Sequence, residues 1–220
     1  MTFVTNVVRS TFDLCLMDNN LKQHWETIYQ TKLPNEVSWT EEIPTTSLEF
    51  IAKLNLPKTA KIIDIGGGDS KLVDHLLEQG FSNISVLDIS AAAIERAKNR
   101  LGNDAQKVKW IVSDVLTFDT NEYYDLWHDR AAFHFQTQPE QIQQYLNLVQ
   151  KVVNGAVIVA TFSIDGPKKC SGLEIKQYDE TTLKNIFEPI GFKNITCKRE
   201  DHLTPSGALQ NFLFCSFERD

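Results

Sequence analysis

From residue 61 onward, short apolar runs alternate with segments whose apolar residues recur at helical spacing. The apolar runs cover residues 61–65, 84–87, 108–112, 123–128 and 156–162, and the helical segments cover residues 72–77, 91–101, 139–153 and 180–187. This alternation predicts an open α/β sheet with helices packed on it. Two further alternating runs, at residues 192–199 and 210–217, flank a short turn and predict a terminal hairpin.

The residues before this alternation predict two helices. These helices cover residues 21–29 and 45–54. Thr45 or Thr46 starts the second helix, with Glu49 near the position that completes a capping box. We therefore expect a helical cap, at about residues 21–56, in front of the first strand.

The first 20 residues are predicted to be an N-terminal tail, followed by a single domain over residues 21–220. Residues 1–16 are mildly apolar, but Asn6, Arg9 and Asp13 interrupt any signal-peptide core. Met17 is an alternative start of translation, and the sequence leaves both starts open.

The chain is organised around a β-α-β unit at residues 61–90, in which three glycines follow the first strand. A side chain at Gly66, Gly67 or Gly68 would keep a ligand away from the backbone. The helix that follows presents free N–H groups to polar or anionic ligand groups. Asp88, at the end of the second strand, is placed to accept hydrogen bonds from ribose hydroxyls. The unit therefore indicates a nucleoside site.

The glycine spacing separates several nucleoside-binding patterns. Gly66 and Gly68 fit the first two positions of the dinucleotide fingerprint, but Lys71 stands where its third glycine belongs. The phosphate-loop pattern is absent. Asp64, two positions before the glycines, completes a stretch that resembles the first motif of the class I S-adenosylmethionine (SAM) dependent methyltransferases. The segment from His24-Trp25 to Tyr29 is also similar to the N-terminal segment of small methyltransferases in that family.

The resemblance implies a fold and a set of ligand contacts. The implied fold is an α/β three-layer sandwich: a Rossmann-like, mostly parallel seven-stranded sheet whose last strand is antiparallel. The resemblance implies binding of SAM and of its product S-adenosylhomocysteine, with Asp88 on the ribose and Ile89 against the adenine. The other implied contacts are made by Asp64, Gly66, Gly67, Gly68, Asp114, Val115, His128 and Asp129.

Aromatic residues before the first strand suggest a lid over this donor. Trp25, Tyr29 and Trp39 offer faces that attract a sulfonium and stack on an adenine. We expect Trp39 to contact the donor, whereas Trp25 is as well explained by packing of a peripheral helix.

Several candidate residues have a structural alternative. Asp64 could hold the glycine turn, and Asp114 could cap a turn. His128, Asp129 and His134 are candidates for general-base work beside the donor, although a histidine in such a loop is more often structural.

Two more side chains near the predicted donor have such alternatives. Arg130 could simply pair with a carboxylate. Cys170 could face the pocket or simply be packed.

Composition narrows the class of protein. Hydrophobic residues make up 42% and charged residues 23%, as in ordinary globular domains. The net charge of −7 argues against broad nucleic-acid binding, which needs a basic face. Four scattered cysteines favour a reduced, cytoplasmic protein without a metal site, and no apolar run is long enough to span a membrane.

The sequence therefore predicts a SAM-dependent methyltransferase whose acceptor, a small molecule or a protein side chain, is not identified. Two alternatives remain: a SAM-binding partner protein without turnover, and a nicotinamide-dependent oxidoreductase. The missing third glycine and the Asp114-Val115 strand tip disfavour the oxidoreductase.

Overall fold

A seven-stranded sheet forms the centre of the molecule. The computed structural model describes the backbone of residues 11–219 and the side chains of residues 20–219. The strands are β1 Lys61–Ile65, β2 Asn83–Asp88, β3 Val108–Val112, β4 Tyr124–Arg130, β5 Val153–Phe162, β6 Lys169–Cys170, β7 Leu173–Glu174, β8 Phe192–Leu203 and β9 Leu209–Arg219. The helices are α1 Thr11–Thr31, α2 Thr45–Lys53, α3 Leu72–Glu78, α4 Ala91–Leu101, α5 Pro139–Val152 and α6 Glu180–Phe187.

The strand order confirms the implied fold. The large sheet runs β3-β2-β1-β4-β5-β9-β8, and β6 and β7 form a separate two-stranded ribbon. Strands β1 to β5 are mutually parallel, whereas β9 lies antiparallel between β5 and β8. The strand order reverses between β1 and β4, and ligands of open α/β sheets bind at the carboxyl ends of the strands at such a point.

Helices cover both faces of the sheet, which explains why the central strands are almost wholly apolar. On β4, Leu126 packs with the α2, α3 and α4 side, whereas the next residue, Trp127, packs with the α5 and α6 side. On β5, Val157 and Ile158 divide in the same way. The result is the expected three-layer sandwich.

Local signals predict the boundaries of four elements correctly. Strands β1 and β3 and helices α4 and α6 have the predicted bounds. Ser90 caps α4, since its Oγ accepts a hydrogen bond from the Ala93 N–H at 3.2 Å, and Gly102 follows the helix with a positive φ of 56°. These boundaries are correct because capping and chain reversal depend on neighbouring residues alone.

The predicted end of helix α5 at residue 153 and the predicted start of strand β5 at residue 156 are wrong. Strand β5 begins at Val153 directly after the helix, so Asn154 and Gly155 belong to the strand. A side chain at Gly155 would collide with the Asp125 carbonyl of the neighbouring strand. The glycine therefore permits a close approach of two backbones, which the sequence cannot distinguish from a turn.

The capping box predicted for α2 is also wrong. Neither threonine caps the helix with its side chain. The Thr46 hydroxyl instead binds Glu200 of β8, and Glu49 pairs with Lys198 at 3.0 Å. Contacts with β8 have replaced the local cap.

Other elements are longer than predicted. The terminal hairpin extends to Leu203 and restarts at Leu209, and α1 begins at Thr11 rather than at residue 21. The prediction of a tail over residues 1–20 falls largely outside the described side chains and stays a prediction.

The cysteines differ from the expectation that all are reduced. Cys197 and Cys215 face each other on β8 and β9 and form a disulfide. Cys170, on the β6–β7 ribbon, is a buried free thiol. Among the described residues, no helix is long and apolar enough to cross a membrane, and no cluster of metal-ligating side chains occurs in that same part of the chain.

Candidate functional site

A cavity of about 400 Å³ opens at the carboxyl ends of the parallel strands. Its wall includes most of the ligand-binding residues predicted from the sequence. These are Trp39, Asp64, Gly66, Gly67, Asp88, Ile89, Asp114, Val115 and His128. The predicted strand tips therefore meet at one place, as the topology requires.

The glycine turn fits the role of a backbone cradle. Gly66 and Gly68 have positive φ angles of 63° and 46°, which side chains disfavour. A Cβ at Gly68 would lie 2.8 Å from Tyr29 Oη and 2.9 Å from Asp88 Oδ2. A Cβ at Gly67 would lie 2.6 Å from Asp64 Oδ2. The turn therefore needs glycine both for its backbone angles and for its close neighbours.

Asp88 is buried at the end of β2. Its Oδ1 accepts a hydrogen bond from the Ser90 N–H at 2.8 Å. Burial raises the pKa of Asp88 to about 7, and the nearby negative charge of Asp64 adds to the rise, although the Ser90 hydrogen bond opposes it. The carboxyl group is therefore close to half ionised near neutral pH, before any ligand binds.

Asp64 and His128 form a buried chain of hydrogen bonds with Ser47. His128 Nδ1 lies 2.7 Å from Asp64 Oδ1, and its Nε2 lies 2.9 Å from the Ser47 hydroxyl. Both ring nitrogens thus have partners within the protein. The arrangement holds α2 against the tips of β1 and β4 and gives Asp64 a structural partner other than the glycine N–H groups considered from the sequence.

Asp114 caps a turn and also lines the cavity, while its predicted contact with the adenine stays a prediction. Its Oδ1 accepts a hydrogen bond from the Leu116 N–H at 2.8 Å, which caps the turn after β3. It also lies in the cavity wall beside Val115. The Ser113 N–H donates to the Asp88 carbonyl at 2.9 Å, so the tips of β2 and β3 are held together.

Asp129 lies in the core, outside the cavity wall. Its Oδ1 accepts hydrogen bonds from the N–H groups of Ala132 and Phe133, at 2.9 and 3.0 Å. Its Oδ2 accepts a hydrogen bond from the Tyr145 hydroxyl at 2.7 Å. Burial raises its pKa to about 6 despite these bonds. The carboxylate therefore fixes the turn after β4.

His134 also lies outside the cavity wall, fully buried between Phe135 and Phe162. Burial, together with the charge of Arg130, lowers its pKa to about 3. Its Nδ1 accepts a hydrogen bond from the Phe162 N–H at 3.3 Å. A neutral imidazole in this position serves packing, and the geometry gives no support for the predicted general-base role.

Four aromatic rings gather over the cavity. The ring centroid of Trp25 lies 5.6 Å from that of Trp39 and 5.2 Å from that of Phe135. Tyr29 and Trp39 are 6.1 Å apart. The predicted cap aromatics thus meet at the site, and Phe135 joins them from the turn after β4, a residue that no sequence signal singled out.

Helix α1 is fixed beside this cluster by Glu26. The Glu26 carboxylate accepts hydrogen bonds from the Ser90 hydroxyl at 2.8 Å and from the Ala92 N–H at 3.3 Å. It therefore adds a second cap to the amino end of α4, where a negative charge is favourable. Sequence reasoning missed this residue because its partners lie 64 and 66 positions away.

Two other candidates have clear surroundings. Cys170 lines the cavity, but burial raises the pKa of its thiol to about 12, so it is not a thiolate at neutral pH. Arg130 pairs with Glu41 at 2.7 Å, the pairing with a carboxylate that the sequence left open.

Comparison with known proteins agrees with this geometry. Residues 62–155 match the model of a methyltransferase domain family. The chain is 27% identical over 108 residues to human EEF1A lysine methyltransferase 2, covering 45% of this chain and 46% of that protein. It is 31% identical over 131 residues to the malonyl-[acyl-carrier protein] O-methyltransferase of Anoxybacillus flavithermus, covering 59% of this chain and 48% of that protein. The chain thus spans about half the length of the curated relatives it matches.

Solved structures share the whole fold. A SAM-dependent methyltransferase from Anabaena variabilis superposes with a TM-score of 0.72 at 14% identity, covering 93% of this chain and 95% of that one. The Burkholderia thailandensis 1,6-didemethyltoxoflavin-N1-methyltransferase, solved with S-adenosylhomocysteine, gives a TM-score of 0.67 at 16% identity, covering 99% of this chain and 94% of that one. Taken with the strand order and the glycine turn, these likenesses show that the chain has the fold of the class I SAM-dependent methyltransferases, and its residues 62–155 match a methyltransferase domain.

Proposed function

We propose that this protein transfers a methyl group from SAM to an acceptor that is not identified, and releases S-adenosylhomocysteine. One observation carries the proposal: the glycine turn, Asp88 and Asp114 line a single cavity at the point where the strand order reverses. In an open α/β sheet this is the place where a nucleoside ligand binds.

The residues in the cavity fit such a donor. Gly66 and Gly67 line the cavity without a side chain, so a ligand could approach their backbone closely. Asp88 would accept hydrogen bonds from the ribose hydroxyls, and Asp114 with Val115 would contact the adenine edge. Ile89 would pack on the adenine face, and the aromatic cluster offers faces to a sulfonium.

The protein's part in the reaction is to position the reactants and to exclude water. The donor, when bound, supplies an activated methyl group on a positively charged sulfur. Holding donor and acceptor in line contributes up to about 7–11 kcal/mol towards lowering the barrier. The aromatic rings of the cap would shield a bound donor from water. His128 acts here as a support for Asp64, since both of its ring nitrogens have protein partners.

The relatives point to two acceptor classes. One is named for lysine methylation of a protein, and the other for O-methylation of an acyl group on a carrier protein. We propose an acceptor of one of these classes, or a small molecule that presents a similar nucleophile. A cytoplasmic location is part of this proposal. Because the cytoplasm is reducing, the Cys197–Cys215 disulfide bears on this location. Thiol labelling of the protein isolated from cells would show whether the two cysteines are bonded there.

Two measurements test the function. Calorimetry should show that SAM and S-adenosylhomocysteine bind and that NADH does not. Incubation with SAM and a panel of proteins, carrier-bound acyl groups and small molecules should then release S-adenosylhomocysteine. Binding of NADH in place of SAM would overturn the proposal in favour of an oxidoreductase. Tight SAM binding without turnover on any acceptor would favour a SAM-binding partner protein.

A further inference from the structure

The loop that carries Trp39 into the cavity wall is held by side chains from two distant strands. We call residues 38–41 the cap loop; they lie within the segment that connects α1 to α2. Arg130 reaches it from the end of β4, and His202 reaches it from β8. Strand β4 lies in the parallel centre of the sheet, and β8 is an edge strand. The cap loop therefore contacts both the centre and one edge of the sheet.

Four contacts fix the loop. Arg130 Nη1 donates a hydrogen bond to the Trp39 carbonyl at 2.9 Å, and Nη2 donates to Glu41 Oε1 at 2.7 Å. His202 Nε2 donates to the Ser38 carbonyl at 2.6 Å, and its Nδ1 lies 3.2 Å from the same Glu41 oxygen. Glu41 is therefore the shared partner of both side chains.

The surroundings make these contacts stronger than ordinary surface pairs. The side chains of Arg130, Glu41 and His202 are 13%, 19% and 7% exposed. The Arg130 guanidinium also lies 5.0 Å from the centre of the Phe212 ring. Burial tends to raise the pKa of Glu41, but the His202 hydrogen bond and the Arg130 charge outweigh it, so the pKa is lowered. Removing one partner from such a group leaves a buried charge unpaired.

We propose that Arg130, Glu41 and His202 form a clasp that holds the cap loop closed over the donor cavity and thereby sets the affinity for the methyl donor. Glu41 and Arg130 also line the cavity, whereas His202 does not. In this proposal all three are positioning residues, because they hold the backbone at Ser38 and Trp39 and so set where the Trp39 ring lies. The proposal rests on the proposed function, because the ligand it concerns is the donor of that reaction.

The test compares Glu41→Gln, Arg130→Lys and His202→Gln with a matched control, Glu49→Gln. Glu49 is a glutamate on neighbouring α2 that pairs with an exposed lysine outside the cavity wall. Each clasp variant should bind S-adenosylhomocysteine about tenfold more weakly, and the control should stay within about twofold. Arg130→Lys should resemble the other clasp variants, since lysine keeps the charge but cannot make two fixed hydrogen bonds.

A second readout needs no ligand. Acrylamide quenching of tryptophan fluorescence reports how exposed Trp39 is. The Trp39 signal is obtained by subtracting the fluorescence of the same variant with Trp39→Phe. The clasp variants should expose Trp39, whereas Glu49→Gln should not. This measurement separates the loosened loop from a general loss of stability, which circular dichroism and the melting temperature would reveal.

The outcomes distinguish the two proposals. If the unchanged protein does not bind S-adenosylhomocysteine, the proposed function fails, while quenching still decides whether the clasp exists. If it binds, and the folded clasp variants match Glu49→Gln in affinity and in quenching, the clasp is overturned and the function stands. Should Glu41→Gln fail to fold, His202→Gln, which keeps one donor group, decides the question.

Discussion

Protonation of Asp88 should make donor binding depend on pH. In the free protein, burial raises the pKa of this carboxyl to about 7. The ribose hydroxyls of the donor would donate hydrogen bonds to the carboxylate, so binding favours the charged form. Affinity for S-adenosylhomocysteine should therefore rise as the pH increases through 7.

The expected size follows from the fraction of protein that is ready to bind. With a pKa of about 7, Asp88 is roughly one-tenth ionised at pH 6 and roughly nine-tenths ionised at pH 8, so the apparent dissociation constant should differ about tenfold. Folding stability should change in the opposite direction. The pKa of Asp88 is 3.8 in the unfolded chain and about 7 in the folded protein. Between pH 3.8 and pH 7 the folded state therefore binds more protons than the unfolded state, and the free energy of unfolding falls as the pH rises through this range.

Calorimetric titrations with S-adenosylhomocysteine at pH 6, 7 and 8 would measure the effect. Asp88→Asn is the control, since its amide oxygen can still accept from the Ser90 N–H but the side chain does not titrate. It should bind more weakly at pH 8 and show a flat profile. Asp129, whose pKa burial raises to about 6, is unchanged in this variant. A flat profile in the unchanged protein, or the same slope in Asp88→Asn, would refute the reasoning.

Three further predictions concern the glycine turn, Trp39 and Cys170. Replacing Gly66 or Gly68 with Val should abolish binding of S-adenosylhomocysteine, because both have positive φ angles and close neighbours; calorimetry checks this, and normal binding in a stable variant would contradict it. Trp39→Ala should weaken binding at a nearly unchanged melting temperature, and saturating ligand should protect residues 21–40 from proteolysis; unchanged affinity and cleavage would leave only a packing role. Cys170→Ser should retain donor affinity, since its thiol is not ionised at neutral pH; a large loss of affinity in a folded variant would argue for a direct role.

The meeting of the glycine turn and the Asp88 strand end at one cavity could be predicted because its signals are local. Three consecutive residues make the glycine turn recognisable in the sequence. Asp88 is recognised as the last residue of the next strand in the β-α-β unit. The topology then brings the strand tips together without further information, since the carboxyl ends of parallel strands share one edge of the sheet. Gly66, Gly67 and Asp88 accordingly lie in one cavity wall.

The distinction between Asp88 and Asp129 could not be predicted in this way. Both acids end an apolar strand, and in the sequence they look alike. The Asp129 carboxylate, however, accepts hydrogen bonds from the N–H groups of Ala132 and Phe133 and from the Tyr145 hydroxyl. The Tyr145 contact depends on how α5 packs, so only the folded chain shows that Asp129 faces the core.

The same difference between local and distant contacts explains why the acceptor side is hard to predict. Two contacts anchor the cap. Glu26 of α1 contacts Ser90 at the start of α4, and Arg130 at the end of β4 contacts Glu41. The Arg130 contacts join residues 89 and 91 positions apart, and His202 contacts Ser38 across 164 positions. No periodic pattern marks such pairs. Residues of the cap line the cavity, so under the proposed function the cap would contribute to the wall that an acceptor meets. The donor turn is therefore predictable from neighbouring residues, whereas the acceptor will be identified by measuring which nucleophile this cap admits.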